Sequence, residues 1–250
     1  MPLRRASSIV LRTYHVGEAD KLVVFFSLQY GKLRGVARAA RRPRSRFGGS
    51  LEIGTEVELT FFEKEGRELV SIDRCDIVRS RFSQLGEPIL ASTLGYMTDL
   101  VDGFLQEREP SARVYRLLRG SVGALALERD PESLARYFEA WLLRLAGHYP
   151  RQRTCTDCGK SLAELGAYYV LDEQRLGCQR CLSKGLPISR ESLAFIEDVW
   201  REPPEKVKPL ISKVVRELTT LHYRIIQQQL EKGLKSHQVL QDLLREEGRE

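Results

Sequence analysis

Apolar and polar residues alternate along the first 80 positions of the chain and then change to helical spacing. In Ser8 to Tyr14 the alternation puts Ile9 and Leu11 on one face and Val10 and Arg12 on the other. Lys21 to Ser27 holds the run LVVFF, an unbroken apolar stretch that asks for burial on both faces. A turn at Tyr30-Gly31 leads into a third strand, Lys32 to Arg38. Thr55 to Phe62 alternates again, with Val57, Leu59 and Phe61 opposite Glu56, Glu58 and Thr60. Glu63 to Gly66 supplies a hairpin turn, and Glu68 to Val78 returns as the last strand. Five short strands with one long connection between the third and fourth predict a small closed barrel. An OB-fold has that strand count and binds nucleic acid on one face. Periodicity alone does not separate it from an SH3-like barrel.

From Glu87 onward the period is helical. Pro88 stands at a first helical position, followed by Ile89, Leu90, Leu94, Met97, Val101 and Phe104. A second helix is expected from Pro110, with Val114, Leu117, Leu118, Val122 and Leu125 on its apolar side. Asp130-Pro131 reads as an N-cap followed by a first-turn proline, opening a third helix that ends near Gly147 and Pro150. Ser189 caps a short helix through Leu193, Ile196 and Trp200, and Pro203-Pro204 breaks it. A long helix is expected from about Glu205 to Leu230, and a charged amphipathic segment from Ser236 to Arg245. The expected architecture is therefore α+β and multi-domain: an N-terminal OB-fold-like barrel (1–80), a helical domain in two parts (81–150 and 187–250), and an insert between them (151–186).

Charge changes this picture at one place. Residues 1–50 hold eleven Lys/Arg against Glu18 and Asp20, so this end carries +9 of a chain whose net charge is +6, and the rest sums to −3. The excess is concentrated in KLRGVARAARRPRSR, where Lys32, Arg34, Arg38, Arg41, Arg42, Arg44 and Arg46 have no acidic residue among them. Pro43 and mutual repulsion keep the second half irregular. An arginine-dense loop leaving a strand suits phosphate, because guanidinium forks pair bidentately with phosphate oxygens. A solvated basic loop without a partner is the alternative. Phe47 and Tyr14 are candidates for stacking a base, and equally for the core. Arg113, Arg116 and Arg119, three residues apart, form a further basic stripe or a solvated helix face.

The insert carries the second chemical signal. Cys155-x2-Cys158 and Cys178-x2-Cys181 have the spacing of a four-cysteine zinc site. Two residues between cysteines let one tight turn aim both thiolates at one ion, and Gly159 and Gly177 ease those turns. Four thiolates fill a tetrahedral ion, so one structural Zn2+ is expected rather than a catalytic one. Arg151, Arg153, Lys160, Arg175 and Arg180 surround the cysteines, but Asp157, Glu164, Asp172 and Glu173 dilute their charge. Cys75 stands apart and reads as a buried apolar residue. Paired CxxC motifs point to a reducing cytoplasm, no window approaches the apolar length of a membrane helix, and MPLRRASSIV lacks the apolar core of a signal peptide. Phosphate-loop, HExxH and GxSxG motifs are missing, and the four histidines are scattered, so nothing argues for an enzyme.

The order of these parts, and above all VLRTYHVGEADKLVVFFSLQYGKLRGVARAARRPRSRFGGSLEIGTEVEL from Val10 to Leu59, resembles the RecO family of bacterial recombination mediators. The turn Gly17-Glu18-Ala19-Asp20, the Gly31-Lys32-Leu33 step, the basic loop and its closing Phe47 carry the likeness together with the CxxC pairs. The resemblance implies a protein that binds single- and double-stranded DNA and anneals complementary strands without ATP. It also implies work with RecR and with the C-terminal tail of the single-strand binding protein SSB, indirectly helping RecA, in the bacterial cytoplasm at the nucleoid. From the residues alone, a zinc-containing RNA-binding protein of ribosome or transcription, or a scaffold with an incidental basic loop, would share the barrel, charge and cysteines.

Overall fold

The computed structural model describes residues 2–64, 66–81, 86–127, 130–149, 153–231 and 233–247. The N-terminal strands are β1 (Leu3–Val16), β2 (Asp20–Ser27), β3 (Gly31–Ala37), β4 (Glu56–Phe62) and β5 (Val70–Arg79). They close into one barrel in the order β1-β2-β3-β5-β4. The long β1 is shared: its first half pairs with β4 (Leu3↔Phe62 to Ile9↔Glu56), its second with β2 (Ser8↔Ser27 to Val16↔Asp20). A bulge between Val10 and Arg12 turns it from one partner to the other. The parallel pairing of β3 with β5 at Gly35↔Val70 and Val36↔Ser71 completes the closure. That strand order belongs to the OB-fold and settles the choice left open with the SH3-like barrel.

The interior follows the alternation. Val57, Leu59 and Phe61 point inward from β4 to meet Val10, Val23, Phe25, Leu33 and Ile72. The apolar run of β2 is buried on both faces, as its sequence asks: Val23 and Phe25 belong to the barrel core, while Phe26 stacks its ring 5.9 Å from Tyr115. Phe47, just before the 3₁₀ turn Gly48–Leu51, and Leu51 at its end are also buried in that core.

By packing, the chain forms two compact units, Met1–Val122 with Leu234–Glu250, and Gly123–Gly233. In the first unit the barrel is joined by α1 (Pro88–Phe104), by α2 (Ala112–Leu125) up to the division, and by the final helix α7 (Lys235–Glu247). Helix α7 lies on α1, with the His237 and Tyr96 rings 5.4 Å apart and Leu240 fully buried.

The second unit contains α3 (Pro131–Leu145), the short turn α4 (Leu162–Leu165), a small sheet of β6 (Ala167–Val170), β7 (Arg175–Cys178) and β8 (Leu186–Ile188), then α5 (Arg190–Val199) and α6 (Ser212–Leu230). Asp130 caps α3 by accepting from Ser133 N at 2.8 Å, and Ser189 caps α5 by accepting from Ser192 N at 3.3 Å. The expected long helix from Glu205 is shorter. Pro204–Lys206 makes only a 3₁₀ turn, and α6 starts at Ser212, because Pro209 holds Lys208 out of helical geometry. Pro150 and Arg151 lie outside the described residues. Among the described residues no helix is long and apolar enough to cross a membrane.

Candidate nucleic-acid interface and metal centre

Strand β3 divides the seven basic residues into two groups. Leu33, Gly35 and Ala37 face the barrel interior, so Lys32 and Arg34 face outward, where the stretch after α1 covers Lys32 but leaves Arg34 exposed. Lys32 is 6% exposed; its Nζ donates to the Asp102 carbonyl at 2.6 Å and pairs with the Asp102 carboxylate at 3.2 Å. Arg34 pairs with Glu107 at 2.8 Å. Arg108 N donates to the Lys32 carbonyl at 2.9 Å, laying residues 107–108 along the part of β3 that β5 does not reach. Gly31 permits this approach: at φ +69° a Cβ there would sit 2.4 Å from the Glu109 backbone. Lys32 therefore acts inside the fold, as an ionic tie, while Arg34 makes its pair with Glu107 at the surface.

The other five, Arg38, Arg41, Arg42, Arg44 and Arg46, stand on the β3–β4 loop and are exposed. The β1–β2 turn holds the loop in place. Asp20 accepts from Ala39 N at 2.8 Å, the Ala19 carbonyl from Arg41 N at 2.9 Å, and the Gly17 carbonyl from Arg41 Nη1 at 3.1 Å. Arg46 lies 4.8 Å over the Phe47 ring and reaches the Ile72 carbonyl at 3.4 Å. These contacts are to carbonyls and a ring, so they orient the guanidiniums without neutralising them. Among the described residues none of the five meets a carboxylate. A fixed scaffold thus presents five uncompensated charges, the arrangement a phosphate backbone requires.

Of the two candidate stacking rings, Phe47 is 3% exposed and belongs to the core, whereas Tyr14 is 43% exposed near the β1–β2 turn. Of the two rings, Tyr14 is therefore the one that reaches solvent. Two further cations escaped the sequence reading: Lys64 and Arg67 share with Arg38, Phe62 and Leu69 a cleft of about 470 Å³. They sit in FEKEGREL, where interleaved glutamates hide any local excess of charge.

In the second unit the four cysteines converge. Their sulfurs all lie within 4.8 Å of one another, with Cys158 Sγ and Cys178 Sγ 3.8 Å apart. Sulfurs about 2.3 Å from a tetrahedral ion lie about 3.8 Å from each other, so the set fits one ion. Each pair sits on a tight turn. Cys155 O accepts from Gly159 N at 3.0 Å, and Cys178 O accepts from Cys181 N and Leu182 N, both at 3.0 Å. Gly159 takes φ +70°, and a Cβ on Gly177 would come within 2.5 Å of Leu182. Backbone N–H groups around Cys155, chiefly those of Cys178 and Cys158, pull its thiol down to about 6. Burial opposes the same effect at Cys178, but the N–H groups of Arg180 and Cys181 outweigh it. Hydrogen bonding to Cys158 and Cys178 pushes Cys181 up to about 12, so without a cation some of the four keep their protons. Cys155 and Cys178 are buried while Cys158 and Cys181 are exposed. Arg175 pairs with Asp157 at 2.7 Å and with Glu173, which spends its charge within the insert. Cys75 is far from reactive: burial pushes its thiol up to about 11, and it hydrogen-bonds Ser50 O at 3.7 Å.

Comparison with known proteins gives both parts of the chain a relation. A family model described as Recombination protein O N terminal matches residues 1–81, and one described as Recombination protein O C terminal matches residues 87–238. A protein of Koribacter versatilis (strain Ellin345) described as DNA repair protein RecO is 32% identical over 243 residues, 96% of this chain and 99% of its own length. A protein of Symbiobacterium thermophilum with the same description is 34% identical over 205 residues, 80% of each chain. One of Nocardioides sp. (strain ATCC BAA-499 / JS614) is 33% identical over 240 residues, 94% of this chain and 97% of its own.

Proposed function

The chain belongs to the RecO family, and from that premise we propose that it is a DNA repair and recombination mediator that binds single- and double-stranded DNA and anneals complementary strands without ATP. The observation that carries this reading is the β3–β4 loop of an OB-fold barrel, with five exposed arginines that meet no carboxylate among the described residues. Contacts to phosphate carry no base information, so such a surface takes strands of any sequence, as annealing requires. The work is charge screening and release rather than a catalysed bond change, and no nucleotide enters it. The same reading places the protein in the bacterial cytoplasm, with RecR and the SSB tail as partners and RecA as the eventual beneficiary.

Cys155, Cys158, Cys178 and Cys181 would hold one Zn2+, since an all-thiolate tetrahedral set selects zinc or iron–sulfur and CxxC knuckles of this spacing suit zinc. Bound there, zinc contributes folding free energy to the insert and leaves no open coordination position for chemistry.

The test mixes complementary strands, bare and SSB-coated, with the protein and no nucleotide, and follows duplex formation. Acceleration of both, with weaker binding to structured RNA than to single-stranded DNA, is the expected result. No acceleration, or a preference for structured RNA, would overturn the reading in favour of an RNA-binding role.

A further inference from the structure

The first unit holds a second cluster of guanidiniums, Arg79, Arg81 and Arg119, and we propose that it binds a phosphodiester of a second nucleic-acid strand. This rests on the DNA-binding reading above and extends it to a new site.

Glu56 is at the centre of the cluster. It opens β4 directly across from Arg79 on β5, and Arg119 of α2 reaches its Oε1 at 2.7 Å. Glu56 also acts on Arg81, so a single carboxylate faces three guanidiniums and the cluster keeps an excess of positive charge. Arg81 is the telling residue. It is 6% exposed, and among the described residues its Nε has no hydrogen-bond partner, as is also true of Glu56 Oε2 and the Tyr115 hydroxyl. Arginine is almost never buried without a partner, because the charge loses its water and gains nothing in return. Burial first, and then Arg79 and Arg119, depress the Arg81 pKa against the opposing pull of Glu56. A site that has given up water, repels its own cations and offers unused donors lacks an anion. A phosphodiester oxygen pair matches the guanidinium fork and brings a single negative charge. The Tyr115 hydroxyl adds a neutral donor, and Glu56 is kept from repelling the ligand by its own arginine.

The geometry separates this site from the loop. Arg46 touches the Ile72 carbonyl near the start of β5, and Arg79 ends that strand. At 3.3–3.4 Å per residue the two positions are about 20 Å apart. Asp73 and Asp76 are exposed between them, the latter shared with Arg74 at 2.7 Å. A single backbone running along β5 would pass those carboxylates, whereas two strands, one at each end, avoid them. Annealing needs both strands held against their mutual repulsion, and this arrangement supplies the second holder within one unit.

The experiment captures the full-length protein on an immobilised oligonucleotide and measures retention of a labelled, non-complementary second one. Wild type should retain it, and Arg79→Gln/Arg81→Met should lose at least tenfold. Arg81→Met alone should also raise the melting temperature of the free protein, since it removes a buried unpaired charge. A residue serving only the fold would lower it. Undiminished second-strand retention by the double variant, or a lowered melting temperature for Arg81→Met, overturns the proposal. If millimolar inorganic phosphate raises the melting temperature of wild type but not of Arg81→Met while retention is equal in both, the site takes free anions and the strand claim falls. If wild type fails to bind even the first oligonucleotide, it is the DNA-binding reading that fails.

Discussion

Lys32 and Arg42 illustrate how differently one residue type is used within ten positions. Lys32 sits in a strand whose outer face is covered, so its charge is answered by Asp102, seventy residues away. Arg42 sits on a loop and meets no carboxylate among the described residues. Local sequence gives both the same charge, and only the fold distinguishes them, because the covering stretch lies far along the chain. The reversal Arg41→Glu/Arg42→Glu/Arg44→Glu should weaken binding to all sequences alike. With about four to six phosphate contacts in the wild type, log affinity for single strands should fall with log salt at a slope near −3 to −4, and the triple reversal should flatten it by about 2. Titration of affinity against salt reads both slopes. Lys32→Met should behave in the opposite way. It removes one of the two cations that meet the partly buried Asp102, leaving Arg12 at 3.2 Å, and should cost about 1–2 kcal/mol of stability, measurable by denaturant melts, while the salt slope stays with the loop arginines. Tyr14 and Phe47 make the same point for rings: both are aromatic and near the basic loop, yet one is exposed and the other fills the barrel.

Elements were more legible than residues, because periodicity is a local property. All five barrel strands and α1, α3 and α5 are visible in alternation, helical spacing and caps, although β1 starts at Leu3 and not at Ser8. What escaped depends on partners distant in sequence: the bulge that lets β1 serve two neighbours, and the pairing of residues 107–108 with β3. The cysteine knuckles were readable because their chemistry fixes their spacing. Cys158→Ser or chelation should therefore lower the melting temperature of the second unit, with a loss on the order of several kcal/mol, and change DNA affinity far less. Elemental analysis of purified protein should return one zinc per chain. By contrast, the buried network between α3 and α6 had no sequence signature. Arg136 pairs with Glu139 at 2.7 Å and with Thr219, Glu139 lies 2.8 Å from His222 Nδ1, and Tyr149 lies 3.0 Å from His222 Nε2. A carboxylate accepts only, so Nδ1 carries the hydrogen and Nε2 accepts from the Tyr149 hydroxyl. Burial, partly offset by Glu139, depresses the His222 pKa. The folded chain thus refuses a proton that the unfolded chain accepts below about 6.5. Stability should be full above that pH and decline as pH falls through it, a decline that His222→Gln should reduce. Melts from pH 8 to 5 on both proteins check the sign.

At the scale of the molecule, the division by packing differs from the boundary drawn where strands give way to helices. The final helix α7 packs with α1 in the barrel's unit, so a fragment of residues 1–80 would lack helices that belong to that unit. Separating the roles of the two units therefore calls for point variants rather than truncation. The second unit offers a candidate for the SSB tail, an acidic peptide with an apolar end. A cavity of about 90 Å³ is lined by Leu193, Ile196, Trp200, Arg144 and Arg153. Arg144 lies 4.3 Å over the Trp200 ring, holding a cation at the edge of an apolar surface. An apolar terminus can enter such a site while Arg144 and Arg153 meet the acidic groups behind it. Docking there would raise the local concentration of the protein on coated strands without any new contact to DNA. Annealing of SSB-coated strands should accordingly be faster with the SSB tail intact than with it removed, and the advantage should shrink as salt rises. Arg144→Glu should lower the ratio of coated-strand to bare-strand rates towards the value seen with tail-less SSB. If the ratio is unchanged while the arginine-loop reversal lowers it, the tail is held by the barrel's unit, and the division of labour between the two units is the reverse of the one argued here.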